Sequence, residues 1–202
     1  MFSKENLLRL FSFPLPGEEA QWKLAPVGRR SALGAVEEFR RAAVLVPLVK
    51  KTSEMFVVLT LRAQYDGIHS AQVSFPGGKF EPHESNPVDV ALREANEETG
   101  IPVNLVSIIG RLSPLHIPVS KMQVFPVVGW IEDEFDFKPD PREVQRIIEY
   151  PVKHLLNLEI SFSENIYPRA GVEIPYFEID GEKVWGATAM MLSELIEVLK
   201  ES

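Results

Sequence analysis

The chain contains no cysteine. Disulfides, thiolate nucleophiles, iron–sulfur clusters and cysteine-based zinc sites are therefore excluded. It also has no run of ~18 apolar residues, the length a bilayer-spanning helix needs, so no membrane partner is expected. A positive excess is missing as well. Lys and Arg number 21 against 29 Asp and Glu, a net charge of −8. Binding to nucleic acid without sequence preference needs a dense cationic surface that displaces counterions, so nucleic acid is not an expected partner. The N-terminal stretch from Met1 to Pro16 interleaves Lys4, Glu5 and Arg9 with apolar residues. It lacks the apolar core and small-residue cleavage site of a signal peptide, and cytoplasm is the default expectation. What remains is a chain of 202 residues, 45% of them hydrophobic. That is enough for one good core and too little for several large domains.

The pattern along the chain predicts one domain with a decorated N-terminus. Residues 3–11 read as a short amphipathic helix, and Pro14, Pro16, Gly17, Pro26 and Gly28 continue as an irregular arm. We assign 1–41 to this helix and arm, which could act as a lid or a homodimer contact, and 42–202 to the main domain. Apolar runs predict strands at Ala42–Val49, Met55–Leu61, Gln72–Phe75, Leu105–Gly110, Gln123–Ile131, Ile174–Ile179 and Lys183–Trp185. Pro47 suggests an edge or a bulge for the first of these. Helices are expected over 87–99, 151–156 and 188–199, and the stretch after Glu143 also reads as helical. Strands and helices alternate without the regular rhythm of a doubly wound sheet, which favours α+β with a mixed sheet.

The helix at 87–99 has well-marked ends. Asn86 suits the N-cap, Pro87 the first helical position, and Gly100 the left-handed residue after the last turn. On a helical wheel Val88, Ala91, Leu92, Ala95 and Thr99 form the stripe expected to face the core. Glu94, Glu97 and Glu98 fall in a separate arc of ~100°. Like charges three and four residues apart each cost ~0.2–0.5 kcal/mol. They also stand in the last turns, where the helix dipole disfavours anions by ~0.3–1 kcal/mol. A divalent cation reverses the sign of each of these terms, and carboxylates without His or Cys suit Mg2+ or Mn2+ better than zinc. The bland alternative is a solvated acidic face with Arg93 paired to Glu97. Gly77-Gly78, placed after a strand and before the helix, tips the balance, because glycine lets the backbone approach a ligand closely.

Gly78, Glu84, Arg93-Glu94, Glu97-Glu98, Gly100 and Ile101, in this order, resemble the signature box of the Nudix hydrolases. Five residues separate Gly78 from Glu84 as in that pattern; eight separate Glu84 from Arg93 where the pattern has seven, so Ser85 competes with Glu84 for its place. The resemblance implies a Nudix fold, an α/β/α sandwich around a mixed β-sheet, and metal-dependent hydrolysis of a nucleoside diphosphate linked to another group. It implies Glu94 and Glu98 as principal metal ligands, the Gly78 carbonyl completing the shell, and Glu97 as a third ligand or the base. It implies that Arg93 orients the carboxylates. Glu143 is the expected further acid brought by a later loop.

Val58-Leu59-Thr60-Leu61-Arg62-Ala63 followed by Phe75-Pro76-Gly77-Gly78 resembles the coenzyme A diphosphatase branch of that family. Gly67 and Ala71 stand where the branch has an arginine and a glycine. Further blocks, among them Ala20–Pro26, Ile117–Ser120 and Val184–Ala189, extend the likeness over most of 20–195. The expected partner is then a small nucleotide like coenzyme A. Arg62 is the foremost phosphate-binding residue, with Arg29, Arg30, Phe75 and Gly77 as further substrate contacts. ADP-ribose, NADH or another dinucleotide is the alternative substrate class. A nucleotide-sensing module without catalysis is the alternative function.

Overall fold

The computed structural model describes residues 2–26, 39–63, 72–166 and 171–201. Its centre is strand β1 (Arg40–Lys51), whose residues alternate between two apolar layers. Ala42, Val46 and Leu48 enter one cluster, Ala43, Leu45 and Val49 the other. A strand buried on both faces reads as a nearly continuous apolar run, as this one does. β1 lies parallel to β7 (Met122–Ile131) and antiparallel to β2 (Glu54–Arg62) and to the short β4 (Gly77–Lys79). β3 (Val73–Ser74) and β8 (Val144–Pro151) pair with β2, while β5 (Ser107–Arg111) and β6 (Leu115–Ile117) pair with β7. The sheet is therefore mixed, as the irregular element order predicts.

One face of this sheet is covered by α3 (Pro87–Thr99), through Val90, Ala91 and Ala95. The other carries α5 (Gly186–Lys200) and the N-terminal α1 (Lys4–Leu10), with Leu192, Leu195 and Leu199 packed near Leu7 and Leu10 in one cluster. This is the α/β/α sandwich. A second helix, α2 (Gly17–Gln21), packs on α5, where the Gln21 side-chain amide donates to the buried Glu194 carboxylate at 2.8 Å. The helical part of the N-terminal arm is thus built into the core, with Leu7 and Leu24 fully buried. A fourth helix, α4 (Val152–Leu155), follows β8, and a small sheet of β9 (Ser161–Ser163), β10 (Ile174–Ile179) and β11 (Glu182–Trp185) leads into α5. No helix among the described residues is long and apolar enough to cross a membrane.

Two expectations are corrected. Residues after Glu143 form strand β8, not a helix. Val144 and Ile148, the buried pair there, are four apart and suit either period; the partner edge offered by β2 decides it. Pro47 sits in a central strand rather than at an edge, opposite Gly129 of β7. It lies where β1 passes from β4, paired with 42–44, to β2, paired from 48 onward, so no ladder bond needs its missing N–H.

The helix ends that matter for the site are as the sequence predicts. Asn86 Oδ1 accepts from the Val88 amide at 3.1 Å, and Gly100 closes α3 with φ 74°. A Cβ on Gly100 would meet the Lys138 backbone nitrogen at 2.8 Å. Gly100→Ala is expected to destabilise the fold by about 1–2 kcal/mol from the left-handed backbone alone. That corresponds to a melting temperature lowered by roughly 2–8 °C in a thermal scan.

Candidate active site

The acidic arc of α3 is not a separate, solvated face. Val90 is fully buried, Glu98 is 3% exposed and Glu94 18%, so these positions join the Ala91–Ala95–Thr99 stripe against the sheet. Only Glu97 looks outward, at 57%. Val88 and Leu92, expected in the buried stripe, are partly exposed at its rim. The helix lies close to β4 because Gly78 has no side chain to hold it off, while Gly77 lets β4 lie close to β1. A Cβ on Gly78 would lie 2.3 Å from the Glu94 carboxyl group, and one on Gly77 would lie 2.4 Å from the Ala43 carbonyl oxygen. Any larger residue at Gly78 displaces Glu94.

Glu98 is a carboxylate with little compensation. It accepts from the Gly77 backbone amide at 3.1 Å and faces the Arg62 guanidinium at 3.7 Å. Burial pushes its pKa up to about 7; Arg62 and the Gly77 amide oppose the shift, and the charges of Glu143 and Glu94 add to it. Glu94 is also raised, first by desolvation, with Arg93 pulling it back and Glu97 and Glu143 pushing it further. Arg62 closes β2, and its buried Nε has no hydrogen-bond partner among the described residues.

Arg93 gathers the remaining acids. Its Nε and Nη2 grip Glu84 at 2.8 and 3.0 Å, Nη1 reaches Glu97 at 3.0 Å, and Nη2 lies 3.1 Å from Glu94. Glu84 accepts as well from the Glu81 amide, and the Arg93 fork together with this bond holds its pKa down at about 2. So it is Glu84, despite the extra residue in the loop, whose carboxylate returns to the helix. The Ser85 carbonyl instead accepts from Arg41 at 3.1 Å.

Glu143 enters from the turn before β8. Its carbonyl accepts from the Ala63 amide at 2.8 Å, directly after Arg62. Its charge acts on both Glu94 and Glu98, which joins the loop acid to the helix acids. Phe75 is corrected. At 2% exposure it is a core residue of the large apolar cluster, so its ring does not line the site, although the Pro-Gly-Gly turn after it does. Arg29 and Arg30, with Gly67 and Ala71, lie outside the described residues. Asp140 was not singled out from sequence, yet its backbone amide donates to the Glu98 carbonyl at 3.0 Å. Its one sequence signal is the turn-forming Asp140-Pro141 pair.

Among the described residues no three acid or histidine side chains converge into a closed cage. Glu94 nevertheless lies against the Gly78 backbone and Glu98 against the Gly77 amide, two oxygen-donor side chains one helical turn apart, both destabilised by burial, with the charge of Glu94 adding to that on Glu98. That donor set fits a hard divalent cation and no soft metal.

A NUDIX domain family model matches residues 39–169. The Nudix hydrolase NudL of Yersinia enterocolitica is 36% identical over 160 residues, 77% of this chain and 80% of that protein. NudL of Yersinia pestis is 35% identical over 162 residues, 78% of this chain and 79% of its own length. Among solved structures, the MutT protein of Methanosarcina mazei aligns with TM-score 0.52 at 17% identity, covering 81% of this chain and 96% of that one. The NUDIX domain of Shewanella oneidensis NrtR, complexed with ADP ribose, aligns with TM-score 0.50 at 12% identity over 91% and 97% of the two chains. At these identities the structures show a common fold.

The buried acid gives a stability prediction. The unfolded chain ionises Glu98 near its ordinary value of 4.5 and the folded chain near 7. Folding therefore loses free energy as pH rises from about 4.5 to 7 and does not recover it above. In metal-free buffer Glu98→Gln should melt above the parent at pH 8, by on the order of 1–3 kcal/mol, and the gap should close toward pH 4.5. Melting curves across that pH range, with chelator present, are the measurement.

Proposed function

Because the chain belongs to the Nudix hydrolase family, whose members act on nucleoside diphosphate derivatives and generally use ions such as Mg2+ or Mn2+, we propose that it hydrolyses the diphosphate of coenzyme A and its thioesters. The products are adenosine 3′,5′-bisphosphate and 4′-phosphopantetheine or its acyl forms. The observation that carries this reading is Arg62. It ends a strand whose residues resemble the coenzyme A branch, it faces the buried Glu98 at 3.7 Å, and its buried Nε is unpaired among the described residues. A guanidinium so placed suits a phosphate oxygen.

In this reading Glu94, Glu98 and the Gly78 carbonyl would hold the divalent ion, with Glu97 as a further ligand. When bound, the ion neutralises the diphosphate and makes a water oxygen nucleophilic near neutral pH. Arg93 keeps Glu84, Glu94 and Glu97 in register through the hydrogen bonds described above. Water attacks one phosphorus, the P–O bond of the bridge breaks, and the bridging oxygen leaves with the other phosphate. A carboxylate, Glu97 or Glu143, takes the proton of the water. Gly77 presents its amide to Glu98 and its turn to the substrate. Arg29 and Arg30 contact the remaining phosphate of the nucleotide.

A purely nucleotide-sensing role leaves the burial of two mutually repelling carboxylates without a return, so catalysis is the preferred reading. Incubation with coenzyme A and Mg2+ should give the two products above by mass spectrometry. A kcat/KM for ADP-ribose exceeding that for coenzyme A by about tenfold would sink the substrate assignment. Tight nucleotide binding with no metal-dependent turnover would sink catalysis itself. Glu98→Gln should fold and lose on the order of 100-fold or more in kcat, the scale set by removing one preorganised electrostatic group. Normal turnover of that variant refutes its role as a ligand.

A further inference from the structure

Glu143 lies on a turn, and a turn is a poor place from which to aim a charge unless something fixes it. The contacts of one residue, Asp140, do so. The Asp140 backbone amide donates to the Glu98 carbonyl in the last turn of α3 at 3.0 Å. The Asp140 carbonyl accepts from the Glu143 amide at 3.0 Å and from the Val144 amide at 2.8 Å, closing the turn around Pro141. Asp140 Oδ1 accepts from the Arg142 amide at 2.9 Å, two residues on, a side-chain turn that Asp and Asn both make. Its two oxygens also hold the Arg142 guanidinium, Nε at 3.0 and 3.1 Å and Nη2 at 2.5 Å.

We infer that Asp140 is a positioning residue of the hydrolytic site: it ties the turn bearing Glu143 to the end of the helix bearing Glu94 and Glu98, and so sets the separation of the loop acid from the helix acids. The geometry is specific. Both ends of the tether are site residues, since the same Glu98 that donates its carboxylate to the cleft gives its carbonyl to Asp140. Lys138, two residues before Asp140, makes a second attachment to the helix end, donating its amide to the Thr99 carbonyl at 2.8 Å. The other side of the Glu143 turn is fixed by the Ala63 amide. The Asp140–Arg142 ion pair is the lesser part. Arg142 is 86% exposed, and a solvated pair of this kind contributes little. The backbone bonds and the Oδ1 acceptor carry the positioning.

This inference rests on reading the carboxylate cleft as the hydrolytic site with Glu143 as an acting acid, and not on which diphosphate is cut. The test is a double-mutant cycle of Asp140→Ala with Glu143→Gln, on whichever of coenzyme A and ADP-ribose the parent turns over faster. Asp140→Ala alone should lower kcat about tenfold with KM within about threefold, the cost of a misplaced group rather than of lost binding. Asp140→Asn, which keeps the Oδ1 acceptor, should recover most of that rate. In the Glu143→Gln background Asp140→Ala should change kcat less than about twofold. Additive losses overturn the positioning role while leaving Glu143 in place, and a fully active Glu143→Gln overturns both. Pro141→Gly, which loosens the same turn without removing a hydrogen bond, must show the same coupling and serves if Asp140→Ala does not fold.

Discussion

The desolvation of the Glu98 carboxylate is the constraint around which the rest is arranged. A charged group at 3% exposure is costly unless it is paired or bound. Its partners here are one backbone amide, from Gly77, and one guanidinium that stands at 3.7 Å rather than in hydrogen-bonding contact. That is a cradle, and an incomplete one. It exists because Gly78 lets α3 lie against β4 where a side chain would meet Glu94, and Gly77 beside it lets β4 lie close to β1 and offers its amide to Glu98.

The surroundings divide into parts that stabilise and parts that load the site. Arg93 forms a conventional, well-satisfied fork with Glu84, whose carboxylate is held strongly ionised. The same guanidinium reaches Glu94 and Glu97. Burial raises the pKa of both Glu94 and Glu98, and the charge of Glu143 adds to the shift of each. A sequence selected for folding alone would place apolar or basic residues there. Such a conflict between local stability and an acidic constellation is expected at functional rather than purely structural positions.

Much of this was legible along the chain. The caps of α3, the order of most strands, the mixed sheet and the Glu94–Glu97–Glu98 cluster follow from period, turn chemistry and charge spacing. Other features were not. Val144 and Ile148 satisfy a helical and an extended reading equally, and the partner edge on β2 selected the strand. Phe75 adjoins the turn at the site, but its side chain alternates to the core face. A wheel drawn for α3 alone sets the acids apart from the buried stripe, since nothing within the helix says that Gly78 of a neighbouring strand packs against Glu94.

The sequence by itself determined the chemistry present: acids without thiols, a glycine pair before a capped helix, and an arginine at the end of a strand. These are local facts, fixed by residue type and spacing. Tertiary structure decided which acids are buried and which is exposed, that Glu84 rather than Ser85 meets Arg93, and that Asp140 joins the Glu143 turn to α3. Each of those depends on groups brought together from different elements, as Gly77 with Glu98 and Asp140 with Glu98, or on a loop path that an extra residue can take in more than one way. Desolvation and long-range hydrogen bonds belong to the packed chain, and no window of sequence contains them.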